Sequence, residues 1–250
     1  MSGHSKWSTI KRKKGANDSK RGQIFTRLGR EIMLAARDGG EDPESNFRLR
    51  IAIDRARAQN MPKDNIERAI KRGVGGKEGV DLVEVMYEGY GPNGVALIIE
   101  CVTDNRNRTV AEIRHILTRH GGNLGEGGSV AWQFNRVAVF TIPTKSVDQD
   151  KVFELAVEAE ADDVKFDEDS IEIIGPVEAF KHISTSLRQA NIQPEEAGLR
   201  MLPNNEMELD PQDAMHVMRV VEALEDLDDV QEVYSNLNIT DDVLAQLEAA

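Results

Sequence analysis

The sequence predicts an α+β protein: an N-terminal three-helix domain followed by two α+β domains, one ferredoxin-like and inserted in the other. Three observations carry this. In the first 77 positions apolar residues recur at helical spacing among cations. The string Val74-Gly75-Gly76-Lys77-Glu78-Gly79 then marks a glycine-rich hinge, beyond which the composition turns acidic. From Val137 the pattern runs strand, helix, strand, strand, helix, strand, the order of a split βαβ unit. The expected domains are 1–77, then 80–134 together with 205–250, and 135–204 as the insert.

Each element has its own signal. A basic arm, 1–16, precedes a helix over 17–38 whose stripe is Phe25, Leu28, Ile32 and Ala35, ended by Gly39-Gly40. A second helix is expected from Pro43 to about Gln59, with Asp42 as its N-cap. Its inner face is Phe47 or Leu49 with Ala52, Ile53 and Ala56. A third runs from about Pro62 to Gly73, with Asp64 and Glu67 in its first turn and Lys71 and Arg72 in its last, as the helix dipole favours. Strands at 82–88 and 95–102 flank the turn-rich Gly89-Tyr90-Gly91-Pro92-Asn93-Gly94, which reads as a hairpin. A helix over 108–120, with Ala111, Ile113, Ile116 and Leu117 inward, leads to a loop at 121–128 and a strand at 129–134. The insert follows as 137–142, 149–160, 164–166, 171–174, 177–190 and a strand near 199–202. A helix at 211–224, a strand at 230–237 and a last helix at 241–248 capped by Thr240 close the chain. The strand and helix after 204 are expected to complete the sheet begun at 82. No internal repeat of fixed period is present.

Composition narrows the class. Apolar residues make up 40% of the 250, enough for buried cores. No apolar run approaches the ~18 residues of a membrane span. The first 14 residues are basic and polar without an apolar core segment, which argues against a secretory signal. A cytoplasmic protein is expected. The single cysteine, Cys101, excludes a disulfide framework and sits in the apolar run 95–102, where a small buried hydrophobe is expected.

The net charge of −13 hides a division. Residues 1–77 hold 19 basic and 9 acidic side chains, a balance of +10, while 78–250 hold 12 and 35, a balance of −23. A cationic end on an acidic body points to a polyanion partner gripped at that end. Lys6, Lys11, Arg12, Lys13, Lys14, Lys20, Arg21, Arg27 and Arg30 face one acid, Asp18, within the first 30 residues, a set suited to phosphate contacts. Trp7 among the lysines is placed to stack on a base or a ribose. A second set, Arg48, Arg50, Arg55, Arg57, Lys63, Arg68, Lys71 and Arg72, is interleaved with Asp54, Asp64 and Glu67, so weak surface pairs compete with nucleic-acid contact there. Arg106 and Arg108 lie where a strand gives way to a helix, whose free N–H groups favour anions. A capped helix start explains the same residues.

Catalytic patterns are missing. Gly121–Gly128 has no Gly-Lys-Ser/Thr, follows a helix and carries Glu126, so it is a long turn or a binding loop, not a phosphate loop. The carboxylates Asp162-Asp163 and Asp167-Glu168-Asp169 lack Ca²⁺-loop spacing. A metal-dependent enzyme built on them is the distant alternative. The histidines form no HExxH or i,i+4 pair. No cofactor, metal or small-molecule substrate is implied.

Several strings are similar to those of a known family. They are Gly3-His4-Ser5-Lys6-Trp7 with Ile10-Lys11-Arg12-Lys13-Lys14, Phe25 with Leu28 and Glu31-Ile32, and Met61-Pro62-Lys63-Asp64-Asn65-Ile66 with Ala69-Ile70. Tyr87-Glu88-Gly89-Tyr90-Gly91-Pro92, Thr103-Asp104-Asn105-Arg106-Asn107-Arg108-Thr109, and Gly121-Gly122-Asn123-Leu124-Gly125 with Gly128-Ser129-Val130 complete the set. The chain resembles the YebC/PmpR family, transcriptional regulatory proteins related to the mitochondrial translational activator of cytochrome c oxidase. The resemblance implies three domains and a DNA-binding transcriptional regulator. Bacterial relatives are also tied to ribosomes stalled on proline-rich sequences, so it equally admits a ribosome-associated translation factor that binds ribosomal RNA. DNA and ribosomal RNA both remain open as the partner.

Overall fold

The structure, a computed structural model, describes residues 18–75, 82–240 and 242–243. Helices α1 (Asp18–Gly39), α2 (Phe47–Ala58) and α3 (Lys63–Val74) come first. There follow β1 (Val83–Tyr90), β2 (Ala96–Thr103), α4 (Arg106–Arg119), β3 (Asn123–Leu124), β4 (Phe134–Pro143), α5 (Gln149–Glu158) and β5 (Asp163–Phe166). The described elements end with β6 (Ser170–Pro176), α6 (Phe180–Gln189), β7 (Glu196–Pro203), α7 (Pro211–Glu225) and β8 (Val230–Ser235). The fold is α+β, a helical region followed by two small sheet-and-helix domains.

The helical region buries one cluster. Leu28, Ile32, Ala35 and Ala36 of α1 meet Leu49, Ala52, Ile53 and Ala56 of α2 and Ile66 and Ala69 of α3. Small side chains let the helices approach closely. At Gly73 a Cβ would lie 2.4 Å from the Met33 carbonyl oxygen, so α3 needs glycine to lie against α1.

In the first sheet the strand order is β3-β1-β2-β8. The β1–β2 hairpin pairs without interruption from Val83↔Thr103 to Tyr90↔Ala96. Strand β2 is buried at every position but Glu100, as a central strand covered on both faces must be. Leu97, Ile99 and Cys101 pack with Ile113 and Leu117 of α4 and with Val217, Val221 and Leu224 of α7. The chain returns after a long excursion to set β8 antiparallel beside β2.

That excursion, Asn135–Leu202, is one compact unit, and the described residues through Phe134 and from Pro203 belong to the other. Its sheet has the order β5-β6-β4-β7, with β6 antiparallel to both β4 and β5, the split βαβ arrangement of ferredoxin-like domains. Its core holds Ile142, Ile171, Ile173, Ile183 and Leu187, with the Phe140 and Phe180 rings 4.6 Å apart.

Some local expectations are corrected. The second helix begins at Phe47 with Asn46 as its cap, not at Pro43 with Asp42. Asn46 Oδ1 accepts from the Leu49 N–H at 3.0 Å while its Nδ2 donates to the Ala35 and Gly40 carbonyls at 2.6 and 2.8 Å. One buried asparagine thus satisfies both helix ends at the α1–α2 corner, and Asp42 only holds the preceding turn through Glu44 N–H. In α4 the inner residue of the first turns is Thr109, and Ala111 is exposed. Residues 129–133 form no strand but a bend and a 3₁₀ turn, Ala131–Gln133, because their N–H groups are held by a carboxylate described below. The hinge residues from Gly76 onward and most of the final helix lie outside the described residues.

Candidate nucleic-acid interface

Of the residues expected to touch nucleic acid, Lys6, Trp7, Lys11, Arg12, Lys13 and Lys14 lie outside the described residues, and Lys20 and Arg21 fall in the first turn of α1. The remaining four are placed in two different ways.

Arg27 and Arg30 are engaged within the protein. Both point at the carboxyl end of α7, whose last carbonyls have no partner within the helix. Arg27 donates to the Glu225 carbonyl at 3.1 Å, and Gln23 donates to that of Asp226 at 3.3 Å. Arg30 donates to the Asp228 carbonyl at 2.6 Å and to Asp229 Oδ1 at 2.8 Å. Cations at the negative end of a helix dipole are stabilising, so α1 acts as the C-cap of α7.

Asp229 is the centre of this junction. Its side chain is 2% exposed. Oδ2 accepts from Arg108 Nη2 at 2.6 Å, Thr109 Oγ1 at 2.8 Å and Thr103 Oγ1 at 3.0 Å. Burial pushes its pKa up, but the hydrogen bonds from Arg108, Thr109 and Thr103 and the charge of Arg30 outweigh burial and hold the carboxyl below its ordinary value. Arg108 also pairs with Asp104 at 2.9 Å, and Asn105 Oδ1 caps the Arg108 N–H at 3.1 Å. The start of α4 is therefore closed by the protein's own acids and cap. Arg106 stays exposed beside it.

The second basic set divides as well. Arg48 of α2 pairs with Glu84 of β1 and lies 3.4 Å from Asp38. Arg55 pairs with Glu31 at 3.2 Å and reaches Glu232 of β8 at 3.6 Å. Arg50 lies over the Phe47 ring at 5.2 Å. Arg57 and Lys63 make loose contacts of 3.5 Å with Asp54 and Glu67 on their own helices.

On α3 the situation differs. Arg68, Lys71 and Arg72 are exposed and share one face at i, i+3 and i+4. Among the described residues none of the three has a carboxylate at ion-pair distance. The two residues between them, Ala69 and Ile70, pack into the helical core, while the exposed acids Asp64 and Glu67 lie one turn before Arg68 and Lys71 on the same helix. Of the cations expected to touch nucleic acid, Arg68, Lys71, Arg72 and Arg106 are exposed and, among the described residues, make no ion pair.

A third group was not legible in the sequence. Glu88 of β1 is 6% exposed, and its carboxylate accepts the N–H groups of Gly128 at 2.6 Å and of Val130 and Ala131 at 2.8 Å each. Burial would raise its pKa, but these three bonds prevail and lower it. The loop at 121–131 is thereby fixed against β1. Gly122 lies so close that a Cβ would sit 2.4 Å from the Tyr90 carbonyl oxygen, and Gly128 has φ +87°.

Burial, then the charges of Asp229 and Glu100, push the Cys101 thiol up to about 12, so it stays protonated and inert at neutral pH. Among the described residues no three His, Cys, Asp or Glu side chains are grouped to hold a metal, the carboxylates of 162–169 included. No helix of the described residues is long and apolar enough to cross a membrane.

Comparison with known proteins covers the whole chain. The family pattern described as "TACO1/YebC protein N-terminal domain" matches residues 5–76, and "TACO1/YebC second and third domain" matches 82–237. A "probable transcriptional regulatory protein" of Geotalea uraniireducens is 50% identical over 247 residues, covering 99% of this chain and 100% of the relative. One of the same description from Acidithiobacillus ferrooxidans is 51% identical over 249 residues, covering 100% and 99%. The crystal structure of a conserved hypothetical protein from Aquifex aeolicus matches with a TM-score of 0.81 and 43% identity over 88% of this chain and 91% of that one.

Proposed function

Since the chain belongs to the TACO1/YebC family, we propose that it is a non-enzymatic, nucleic-acid-binding regulator of the transcriptional type named for its relatives, gripping the phosphate backbone through α3 and the basic N-terminal arm. The observation that carries this reading is the α3 face. Arg68, Lys71 and Arg72 stand exposed and, among the described residues, none has a carboxylate at ion-pair distance, whereas Arg30, Arg48, Arg55 and Arg108 are paired with the protein's own acids. Lys6, Lys11, Arg12, Lys13, Lys14, Lys20 and Arg21 belong to the same basic stretch of sequence as α3, and Arg106 adds one exposed cation on the body.

Nothing polar lies between the α3 cations to read base edges, so affinity should be set by charge and salt. The logarithm of affinity for duplex DNA should fall linearly with log salt. Reversing all three charges (R68E, K71E, R72E) should reduce that slope by about 2–3 and weaken unrelated sequences alike. An unchanged slope would remove α3 from the interface.

The same indifference to base sequence suits ribosomal RNA, and it supports a second reading as a ribosome-associated translation factor. Crosslinking in cells with sequencing of the attached nucleic acid separates the two: promoter DNA favours transcription, ribosomal RNA favours translation.

A further inference from the structure

Trp132 is 71% exposed, and it does not belong to a loose segment. It occupies the middle of the 3₁₀ turn Ala131–Gln133. The turn is tied down before it, where Glu88 takes the N–H groups of Val130 and Ala131. It is tied down after it, where Asn204 Nδ2 donates to the Trp132 carbonyl at 3.1 Å and the Asn204 N–H to that of Gln133 at 2.7 Å. The indole itself is oriented, because Nε1–H donates to the Ser129 carbonyl at 3.1 Å. Tyr90 Oη donates to that same oxygen, also at 3.1 Å.

A large aromatic surface left in water is unfavourable, and here a set of hydrogen bonds keeps it there. With its only polar atom already bonded, the ring offers a partner its π-face and no hydrogen-bond donor. Such a face suits stacking and does not discriminate among bases. In a duplex the base faces are already stacked on one another. We propose that Trp132 is a stacking platform for an unpaired nucleobase, which makes the partner a nucleic acid with single-stranded or looped-out residues. This rests on the nucleic-acid-binding reading above and adds a contact that phosphate cations cannot provide, since they do not distinguish paired from unpaired strands.

The test exploits the chain's two tryptophans, Trp7 and Trp132. In full-length protein carrying W7F, fluorescence reports Trp132 alone, and all affinities are compared within that background. The probes are labelled oligouridylate, oligothymidylate and fully paired RNA and DNA duplexes, with binding followed independently by anisotropy of the label. Trp132 emission should be quenched by the single strands and not by the duplexes, and the uridylate and thymidylate arms show whether RNA or DNA is preferred. W132A should weaken single-strand binding about 10- to 100-fold, while W132F retains most of the affinity. Single-strand binding by anisotropy with no quenching, or with W132A unchanged, overturns the platform and leaves the phosphate-gripping reading intact. Equal quenching by duplexes overturns the specificity for unpaired bases. Absence of binding to all four probes overturns the nucleic-acid reading and the platform with it.

Discussion

Arg30 and Arg68 belong to the same three-helix cluster, yet their surroundings are opposite. Arg30 on α1 is 17% exposed and hydrogen-bonded to Asp228 and Asp229. Arg68 on α3 is exposed and, among the described residues, has no acid at ion-pair distance. Arg48 and Arg55 resemble Arg30, reaching Glu84 and Glu232 across to the first sheet. Lys71 and Arg72 resemble Arg68. The cationic end and the acidic body are therefore partly each other's partners. Only the cations left over after that internal pairing are free to recruit an outside anion.

Removing Asp229 should have the largest effect on this division. D229A leaves two guanidinium groups and two threonine hydroxyls without their shared acceptor, and should lower the unfolding free energy by about 3–5 kcal/mol in urea titration. A loss below about 1 kcal/mol would mean that the junction contributes little and that Arg30 and Arg108 are available for other partners.

Glu88 offers the next test. E88A strands three backbone N–H groups and should cost about 1–3 kcal/mol. Hydrogen exchange should speed up at the Gly128, Val130 and Ala131 amides before any change in the helical region.

Acid should act on both carboxylates at once. Each has a folded-state pKa below its unfolded value, so each contributes stability that is complete above the ordinary carboxylate range and is lost as pH falls below about 4 toward the depressed folded values. The urea midpoint should decline in that window and stay level from there to neutrality as far as these two groups govern it. A D229N, E88Q double variant should decline less steeply.

The smallest effects are expected on the surface. A double-mutant cycle between Arg48 and Glu84, both half-exposed, should give under about 1 kcal/mol. Reversing Arg68, Lys71 and Arg72 should change stability by no more than about 0.5 kcal/mol each while altering nucleic-acid affinity. If reversal on α3 instead unfolded the protein, those cations would be structural and the contrast with Arg30 would disappear.

Helices and strands were legible because their signals are local. The stripe Leu28, Ile32, Ala35 and the alternation along β1 need no knowledge of distant residues, and the βαββαβ order after Val137 gives the second sheet. The errors arose where distant groups intervened. Asp42 and Pro43 are a good helix start by local rules, but Asn46 reaches Ala35 and Gly40 and takes the cap. Residues 129–133 look like a strand until Glu88, some forty positions earlier, claims the N–H groups of Val130 and Ala131. The candidate site followed the same rule. Arg68, Lys71 and Arg72 were visible as basic residues but not as ones without a carboxylate at ion-pair distance among the described residues, and Trp132 gave no sign that it would stand in solvent.

The sequence by itself determined the order of elements, the faces they bury and the concentration of positive charge at one end, because periodicity and charge are properties of neighbouring residues. Which cations keep that charge for a partner was decided only by the tertiary structure. Ion pairing depends on distances of a few ångströms between residues up to two hundred positions apart, as between Arg30 and Asp229, and folding alone brings those together.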